Sequence, residues 1–231
     1  MPFAELITPP IKQDDTLIPA FHAAITHLAT ILSPAPGLKV QVSGEIINEN
    51  GIDIPSSPLK IALGMDWEAA NNMPDFIASE EFQGLGAMLK PLAAGPPNPQ
   101  LYETDVESSA VFAAKLTEVF RVPVAGEGKL SEVQNVWKEF IKDVSKGGAA
   151  NAFCGTSLNL EEKLFAGATG YAGKEVSLLS TLGCKIGKHL QDQNADRYPQ
   201  AREATLGNTA AARKKLEQLG AESFVVSFTE H

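Results

Sequence analysis

Two glutamates hold the same position in two similar stretches of the chain. Glu5 opens the stretch Glu-Leu-Ile-Thr-Pro-Pro, and Glu118 opens Glu-Val-Phe-Arg-Val-Pro 113 residues later. Each stretch is an apolar run closed by proline, which cannot continue a central strand, so each reads as a first strand. A carboxyl group buried on such a strand has its pKa raised by desolvation and can act as a general base. The alternative is that each glutamate lies at a solvated strand end.

Three more polar side chains lie within apolar stretches that predict strands. Arg121 stands in Val-Phe-Arg-Val, where a guanidinium needs a carboxylate or a ligand anion, and a neighbouring glutamate is the simpler partner. Tyr102 and Tyr171 are the tyrosines on these predicted strands. The candidate catalytic residues are therefore Glu5, Glu118, Arg121, Tyr102 and Tyr171.

A second set of residues, on the same predicted strands, is suited to binding a ligand. Strand alternation puts Ser43 and Glu45 on one face of the sheet, although it does not say which face is inward. Trp67 closes one strand, and Thr156 lies on another. The candidate substrate-binding residues are Ser43, Glu45, Trp67 and Thr156.

The sequence lacks the usual cofactor and metal motifs. It has no Gly-x-Gly-x-x-Gly after a strand, no Walker-type Gly-Lys-Ser/Thr and no Gly-x-Ser-x-Gly. The glycine-rich stretch 167–173 is better explained by close backbone packing than by phosphate binding. The histidines form no cluster with metal-ligand spacing and are interpreted as structural: His22, His27, His189 and His231. These features favour chemistry without a cofactor or a metal.

Charge and composition exclude some partners. With 19 Lys and Arg against 28 Asp and Glu, the formal net charge of −9 opposes binding to nucleic acid or to anionic membranes. No window approaches the roughly 18 apolar residues of a membrane span, and the first ten residues lack a signal-peptide pattern. Two cysteines are too few for a disulfide framework. We expect a soluble, cytoplasmic protein that binds a small molecule.

The elements that position these side chains occur twice. Leu17, Phe21 and Ile25 match Val133, Trp137 and Ile141, and both triplets keep the spacing of one helix face. Asp14 or Asp15 and Ser131 are the expected N-caps of these helices. The segment 42–48 matches the segment 153–159, with Gly44 on Gly155, and Trp67 matches Tyr171.

Each half therefore reads strand, helix, strand, strand, helix, strand. We predict one repeat over residues 1–106 and a second over 110–231. The helical stretch from Glu68 to about Leu92 should break near Ser79, the second half should have a helical stretch from Lys174 to Gln193, and its last helix should run from about Asn208 to Leu219. A single α/β layer fold is the alternative architecture.

Several short patterns resemble the antibiotic-biosynthesis-monooxygenase-like proteins of the dimeric α+β barrel superfamily. They are Trp67-Glu-Ala, the stretch Phe76-Ile-Ala-Ser-Glu-Glu-Phe82, Leu89-Lys-Pro-Leu92 and Tyr102-Glu-Thr104. The second half keeps the strand pattern but lacks the Ser-acidic-Phe stretch. The resemblance implies an α+β fold in which two ferredoxin-like repeats form a pseudodimeric barrel within one chain. Further homo-oligomerisation remains open.

Three functions fit this fold. The resemblance implies a cofactor-independent cyclase, lyase or monooxygenase acting on an apolar aromatic or polyketide-like substrate in a cavity between the two sheets. The second is a non-catalytic small-molecule-binding or stress-related protein. The third is a scaffold whose barrel interior is filled by side chains, which a structure without space between the sheets would favour.

Overall fold

The structure is a computed structural model that describes residues 1–54, 59–145, 151–171 and 199–231, with side chains in the last stretch described from residue 209 onward. The first half contains nine elements, counting a short 3-10 helix at Asp15–Leu17. The others are β1 Phe3–Ile7, α1 Ile18–Leu32, β2 Leu38–Glu49, β3 Ile52–Asp53, β4 Ile61–Trp67, α2 Asn72–Ile77, α3 Glu80–Leu89 and β5 Gln100–Thr104.

The second half repeats this order over the described residues. After a short linking helix α4, Ser109–Phe112, it contains β6 Leu116–Pro123, α5 Glu127–Ser145, β7 Asn151–Ser157, β8 Leu164–Tyr171, α6 Pro199–Gln218 and β9 Glu222–Glu230. The stretch predicted as helical from Lys174 to Gln193 lies outside the described residues.

Eight of the strands close into one antiparallel barrel. The first half contributes β2, β4, β1 and β5 in that order, and the second half contributes β7, β8, β6 and β9. The halves join where β5 pairs with β7 and where β9 pairs with β2. The predicted α+β fold of two ferredoxin-like repeats in a pseudodimeric barrel is therefore confirmed, and the single-layer alternative is wrong.

The two junctions explain the matching glycines. A Cβ atom on Gly44 would lie 2.2 Å from the carbonyl oxygen of Ser227, and one on Gly155 would lie 2.4 Å from that of Glu103. Both distances are too short for a side chain, so each glycine permits the close approach of a strand from the other half. The same packing argument holds for Gly167, where a Cβ would lie 2.7 Å from the Trp137 ring.

Alternate residues of each strand face the barrel interior or a helix layer. On β1, Ala4 and Leu6 belong to the interior cluster, whereas Phe3 and Ile7 pack with the helices. Glu5 lies between Phe3 and Ile7 on the helix-facing side. The position of the carboxyl group is therefore set by strand alternation.

Side chains of the described residues pack the barrel interior. Phe112 from α4 meets Phe153 and Phe228 edge to face, at ring-centroid distances of 5.8 Å and 5.6 Å. Helix α4 closes this end of the barrel, where Gly64 makes room for the Phe112 ring. The sequence did not predict α4, because four residues are too short for a helical periodicity to show.

The helices pack on the outer faces of the barrel. Helix α1 buries Phe21, Ile25 and Leu28, and α5 buries Val133 and Trp137, as the spacing predicts. The predicted break at Ser79 is confirmed, because its side chain accepts the Phe82 N–H at 3.2 Å and begins α3. None of the described helices has the length and apolarity needed to cross a membrane.

Two predicted helix boundaries were wrong, and one was confirmed. Ser131 lies inside α5 and is not its N-cap, because the helix begins at Glu127 directly after Gly126, which has a φ of 85°. The N-cap predicted at Asp14 or Asp15 is confirmed at Asp14, whose side chain accepts the Thr16 N–H at the start of the 3-10 turn that continues directly into α1. Helix α6 begins at Pro199 instead of near Asn208, although it ends before Gly220 as predicted.

Candidate active site in the first half

A cavity of about 110 Å³ lies between the helices of the first half and the outer face of β1 and β4. Its wall is apolar apart from the Glu5 carboxyl group. The aromatic and sulfur-containing members of the wall are Phe21, Phe76, Phe82, Met65 and Met73. This cavity lies on the helix side of the first-half sheet and is not the predicted space between the two sheets.

Glu5 is a buried acid held by one strong hydrogen bond. Its side chain is 3% exposed, and the Trp67 indole Nε1 donates to its Oε2 at 2.8 Å. Burial raises the pKa of Glu5 to about 7, although the hydrogen bond from Trp67 opposes part of that rise. A carboxyl group with this pKa exchanges protons readily near neutral pH, as a general base must.

Register brings Glu5 and Trp67 together. In the pairing of β1 with β4, Glu5 lies opposite Met65 and Phe3 lies opposite Trp67. Trp67 is two residues after Met65, so its side chain is on the same face of the sheet and diagonal to Glu5. Trp67 is fully buried, and its ring lies 6.1 Å from that of Phe76. Of the nine candidate residues, Glu5 lines this cavity, and Trp67 lies behind it as its hydrogen-bond donor.

The corresponding carboxylate of the second half, Glu118, has different partners. It accepts a hydrogen bond from the Tyr171 hydroxyl at 2.9 Å. Arg213 of α6 donates to both carboxylate oxygens, with Nη2 at 3.0 Å from Oε2 and Nη1 in close contact with Oε1. The guanidinium also stacks over the Phe120 ring, 5.3 Å from its centroid. Glu118 and Tyr171 therefore form a buried ion-pair network and do not meet Glu5 or Trp67.

Arg121 and Tyr102 lie on the interior face of the barrel. Arg121 Nη1 donates to Thr8 Oγ1 at 3.2 Å, and its guanidinium lies 4.9 Å from the Phe224 ring centroid. Burial lowers the pKa of Arg121, and burial raises the pKa of Tyr102 to about 12. Tyr102 forms a hydrogen bond with Arg121, and Glu222, which pairs with Arg121 in the strand register, attracts its charge; both oppose part of the fall in the pKa of Arg121.

The other three candidate residues lie away from the cavity. Ser43 Oγ is 2.6 Å from the ring Nε2 of His231, in an exposed position. Glu45 is exposed on β2, and Thr156 lies on β7 opposite Glu103. None of these residues lines the cavity of the first half.

Sequence reasoning missed the apolar wall and Arg213. The wall residues are ordinary core types, and only their arrangement around an unfilled space distinguishes them. Arg213 stands in a run of charged and small residues on α6, where nothing marks it as the partner of Glu118. Among the described residues, no three His, Cys, Asp or Glu side chains lie together as metal ligands would.

Several solved proteins share this fold over the full length of the chain. No protein-family profile matches the sequence, and no curated protein matches it. A proposed monooxygenase from Fusobacterium nucleatum subsp. nucleatum superposes with a TM-score of 0.58 at 7% identity, covering 100% of this chain and 94% of the other. An anthrone oxidase-like protein gives a TM-score of 0.54 at 13% identity, covering 99% and 90%.

A third full-length match has the same architecture. A proposed monooxygenase from Lactobacillus acidophilus gives a TM-score of 0.52 at 8% identity, covering 99% of this chain and 95% of the other. At these identities the likeness is one of fold. The chain therefore has the tandem form of the dimeric α+β barrel, with two repeats in one polypeptide.

Proposed function

We propose that the protein is a cofactor-independent enzyme in which Glu5 removes a proton from an apolar aromatic substrate bound in the cavity of the first half. The observation that carries this proposal is the single carboxyl group, with a pKa of about 7, on an otherwise apolar wall. The substrate class is an enolisable aromatic or polyketide-like ketone, because its carbon acid can be deprotonated by a carboxylate in a site that excludes water.

Trp67 has a positioning role in this proposal. Its N–H fixes Oε2 of Glu5, so Oε1 is the atom available to the substrate. The hydrogen bond also stabilises the charged form of Glu5 while no substrate is bound. The carbanion left after proton transfer can eliminate a leaving group, cyclise or react with molecular oxygen. The structure of the substrate determines which of these reactions follows.

Anthrone is a suitable first substrate, because one of the proteins with the same fold is named anthrone oxidase-like. The cavity of about 110 Å³ is smaller than this molecule, so binding requires the wall to move, and the half-buried Phe76 is the wall residue placed to do so. It is an uncharged tricyclic ketone with an acidic methylene group. Its oxidation to the quinone consumes one molecule of O2 and releases one molecule of water, so both oxygen uptake and quinone absorbance report the reaction.

The test compares the wild-type protein with Glu5→Gln. We expect kcat to fall at least about 100-fold, since a positioned general base contributes on the order of 10² to 10⁴. The rate of the wild-type protein should rise with pH through about 7, as Glu5 loses its proton. Glu68→Gln, which changes an exposed carboxylate next to Trp67, is the matched control and should keep full activity. Full activity of Glu5→Gln would contradict the proposal.

A non-catalytic binding protein is the second candidate, and the almost entirely apolar wall favours it. In that case aromatic compounds should raise the melting temperature of the wild-type protein and of Glu5→Gln equally, without product. Turnover that depends on Glu5 would exclude this alternative.

A further inference from the structure

An open groove of about 380 Å³ lies on the outside of the first half, between the end of α1 and the start of α2 and α3. Ile31, Pro34 and Phe76 supply its apolar floor, and Asp75 and Glu81 supply carboxylates at its rim. The groove is distinct from the cavity that contains Glu5, and it is more than three times larger.

Phe76 lines both spaces. Its side chain is half-buried on α2, so one side of the ring faces the groove and the other faces the cavity. It packs edge to face on Phe82, at a centroid distance of 5.5 Å, and lies 6.1 Å from Trp67, which holds Glu5. A single aromatic side chain therefore separates the outer groove from the residues of the candidate active site.

We propose that the groove is the entrance and outer subsite for the ligand, and that Phe76 is the gate between the groove and the cavity. The inference rests on the cavity of the proposed function, but not on its chemistry. Rotation of a partly exposed phenyl side chain is rapid compared with ligand exchange, so Phe76 can open the path without unfolding the helix layer. Closing again shields Glu5 from water during the reaction.

The charges of the groove define the class of ligand that it admits. Asp75 and Glu81 are exposed carboxylates, and no lysine, arginine or histidine is among the residues that line the groove. Glu5 adds a third acidic group beyond the gate. Two carboxylates within a Debye length of an entering molecule repel an anion, so the ligand is a neutral or cationic aromatic molecule.

Stopped-flow fluorescence with a neutral aromatic probe, N-phenyl-1-naphthylamine, tests the gate on the intact protein. Phe76→Ala should raise both the association rate and the dissociation rate about tenfold, with Kd changed less than about threefold, because removing a gate speeds passage in both directions. Phe21→Ala is the matched control. Phe21 is an aromatic wall of the cavity that does not line the groove and has no ring contact with Phe76, so its loss should weaken Kd through faster dissociation and leave the association rate unchanged.

The result that would overturn the gate is a Phe76→Ala variant that binds the probe with wild-type rates. Activity that depends on Glu5 would still support the proposed function in that case, because the ligand would enter the cavity by another path. If the probe binds neither the wild-type protein nor Phe76→Ala, the cavity does not accept aromatic molecules, and the gate and the proposed function are both wrong.

The charge selection is tested by a matched anionic probe, 1-anilinonaphthalene-8-sulfonate, which has the same aromatic skeleton plus one sulfonate. At low salt its association with the wild-type protein should be about tenfold slower than that of the neutral probe. The Asp75→Asn and Glu81→Gln double variant should remove most of this difference, while association of the neutral probe stays unchanged. Equal acceleration of both probes would show that the carboxylates act through structure and not through charge, and would overturn the charge selection.

Discussion

Glu5 and Glu118 occupy equivalent positions in the two repeats, yet they meet different surroundings. Glu5 has one neutral donor, Trp67, and borders a cavity. Glu118 has a hydroxyl donor and a guanidinium that holds both of its oxygens. The same backbone position therefore holds a carboxyl group that can exchange a proton in one half and a fixed ion pair in the other. Duplication allows this division, because one repeat can stabilise the barrel while the other keeps an unpaired acid.

The largest effect should come from breaking the ion pair of the second half. Glu118→Gln removes the carboxylate to which Arg213 donates, and only 16% of the Arg213 side chain is exposed. We expect the free energy of unfolding to fall by about 3 to 5 kcal/mol, the usual cost of removing one partner of a buried ion pair. Urea denaturation followed by circular dichroism measures it. The double variant Glu118→Gln with Arg213→Met should recover much of the loss, and a single variant as stable as wild type would refute the assignment.

The equivalent change in the first half, Glu5→Gln, should raise the free energy of unfolding relative to the wild-type protein as pH rises. Glu5 loses its proton near pH 4.5 when unfolded and near pH 7 when folded, so the folded protein binds more protons between these values. The stability of the wild-type protein therefore falls as pH rises through this window and is level above it. Glu5→Gln does not titrate, so its stability relative to wild type should increase by about 3 kcal/mol across the window.

Urea denaturation at several pH values measures this change. Glu68→Gln, at an exposed position, should track the wild-type protein at every pH. A constant difference in the free energy of unfolding between Glu5→Gln and wild type from pH 4.5 to above pH 7 would mean that Glu5 keeps its ordinary pKa. The two halves would then not differ in the proton affinity of their first-strand glutamates.

A third pair of variants tests where the two halves are alike. Gly44→Ala and Gly155→Ala each bring a methyl group against a backbone carbonyl of the other half. Each should lower the free energy of unfolding by about 1 to 3 kcal/mol, the usual cost of overpacking. Thermal unfolding measures both, and Gly84→Ala on α3, where a Cβ meets nothing within 4 Å, is the control. A large loss for one glycine only would show that the two junctions are not equivalent.

Much of the fold could be predicted from particular residues. The matching positions of Gly44 and Gly155 predict two equivalent strands, and the structure gives the reason in the close approach of strands at the two junctions. The sequence also selected Glu5 and Trp67, because carboxyl and aromatic groups on apolar strands are unusual. It could not predict the partner of Glu118, since the contact with Arg213 joins residues 95 positions apart. Nor could it place the cavity, because strand alternation does not say which face meets the helices.

The smallest effect should come from the donors that contact the two carboxylates. Trp67→Phe removes the only hydrogen bond described for Glu5, and this bond lowers its pKa. The pKa of Glu5 should therefore rise above 7, by about one unit, because a hydrogen bond to a charged group contributes on the order of 1.5 kcal/mol. Carbon-13 NMR of the Glu5 carboxyl group during a pH titration measures the shift. Tyr171→Phe is the matched variant of the second half and should leave the Glu5 titration unchanged, because Tyr171 contacts Glu118 and not Glu5. If Trp67→Phe leaves the Glu5 titration unchanged, Trp67 packs against Glu5 without setting its pKa. The difference between the two halves would then lie in Arg213, the cation that contacts Glu118.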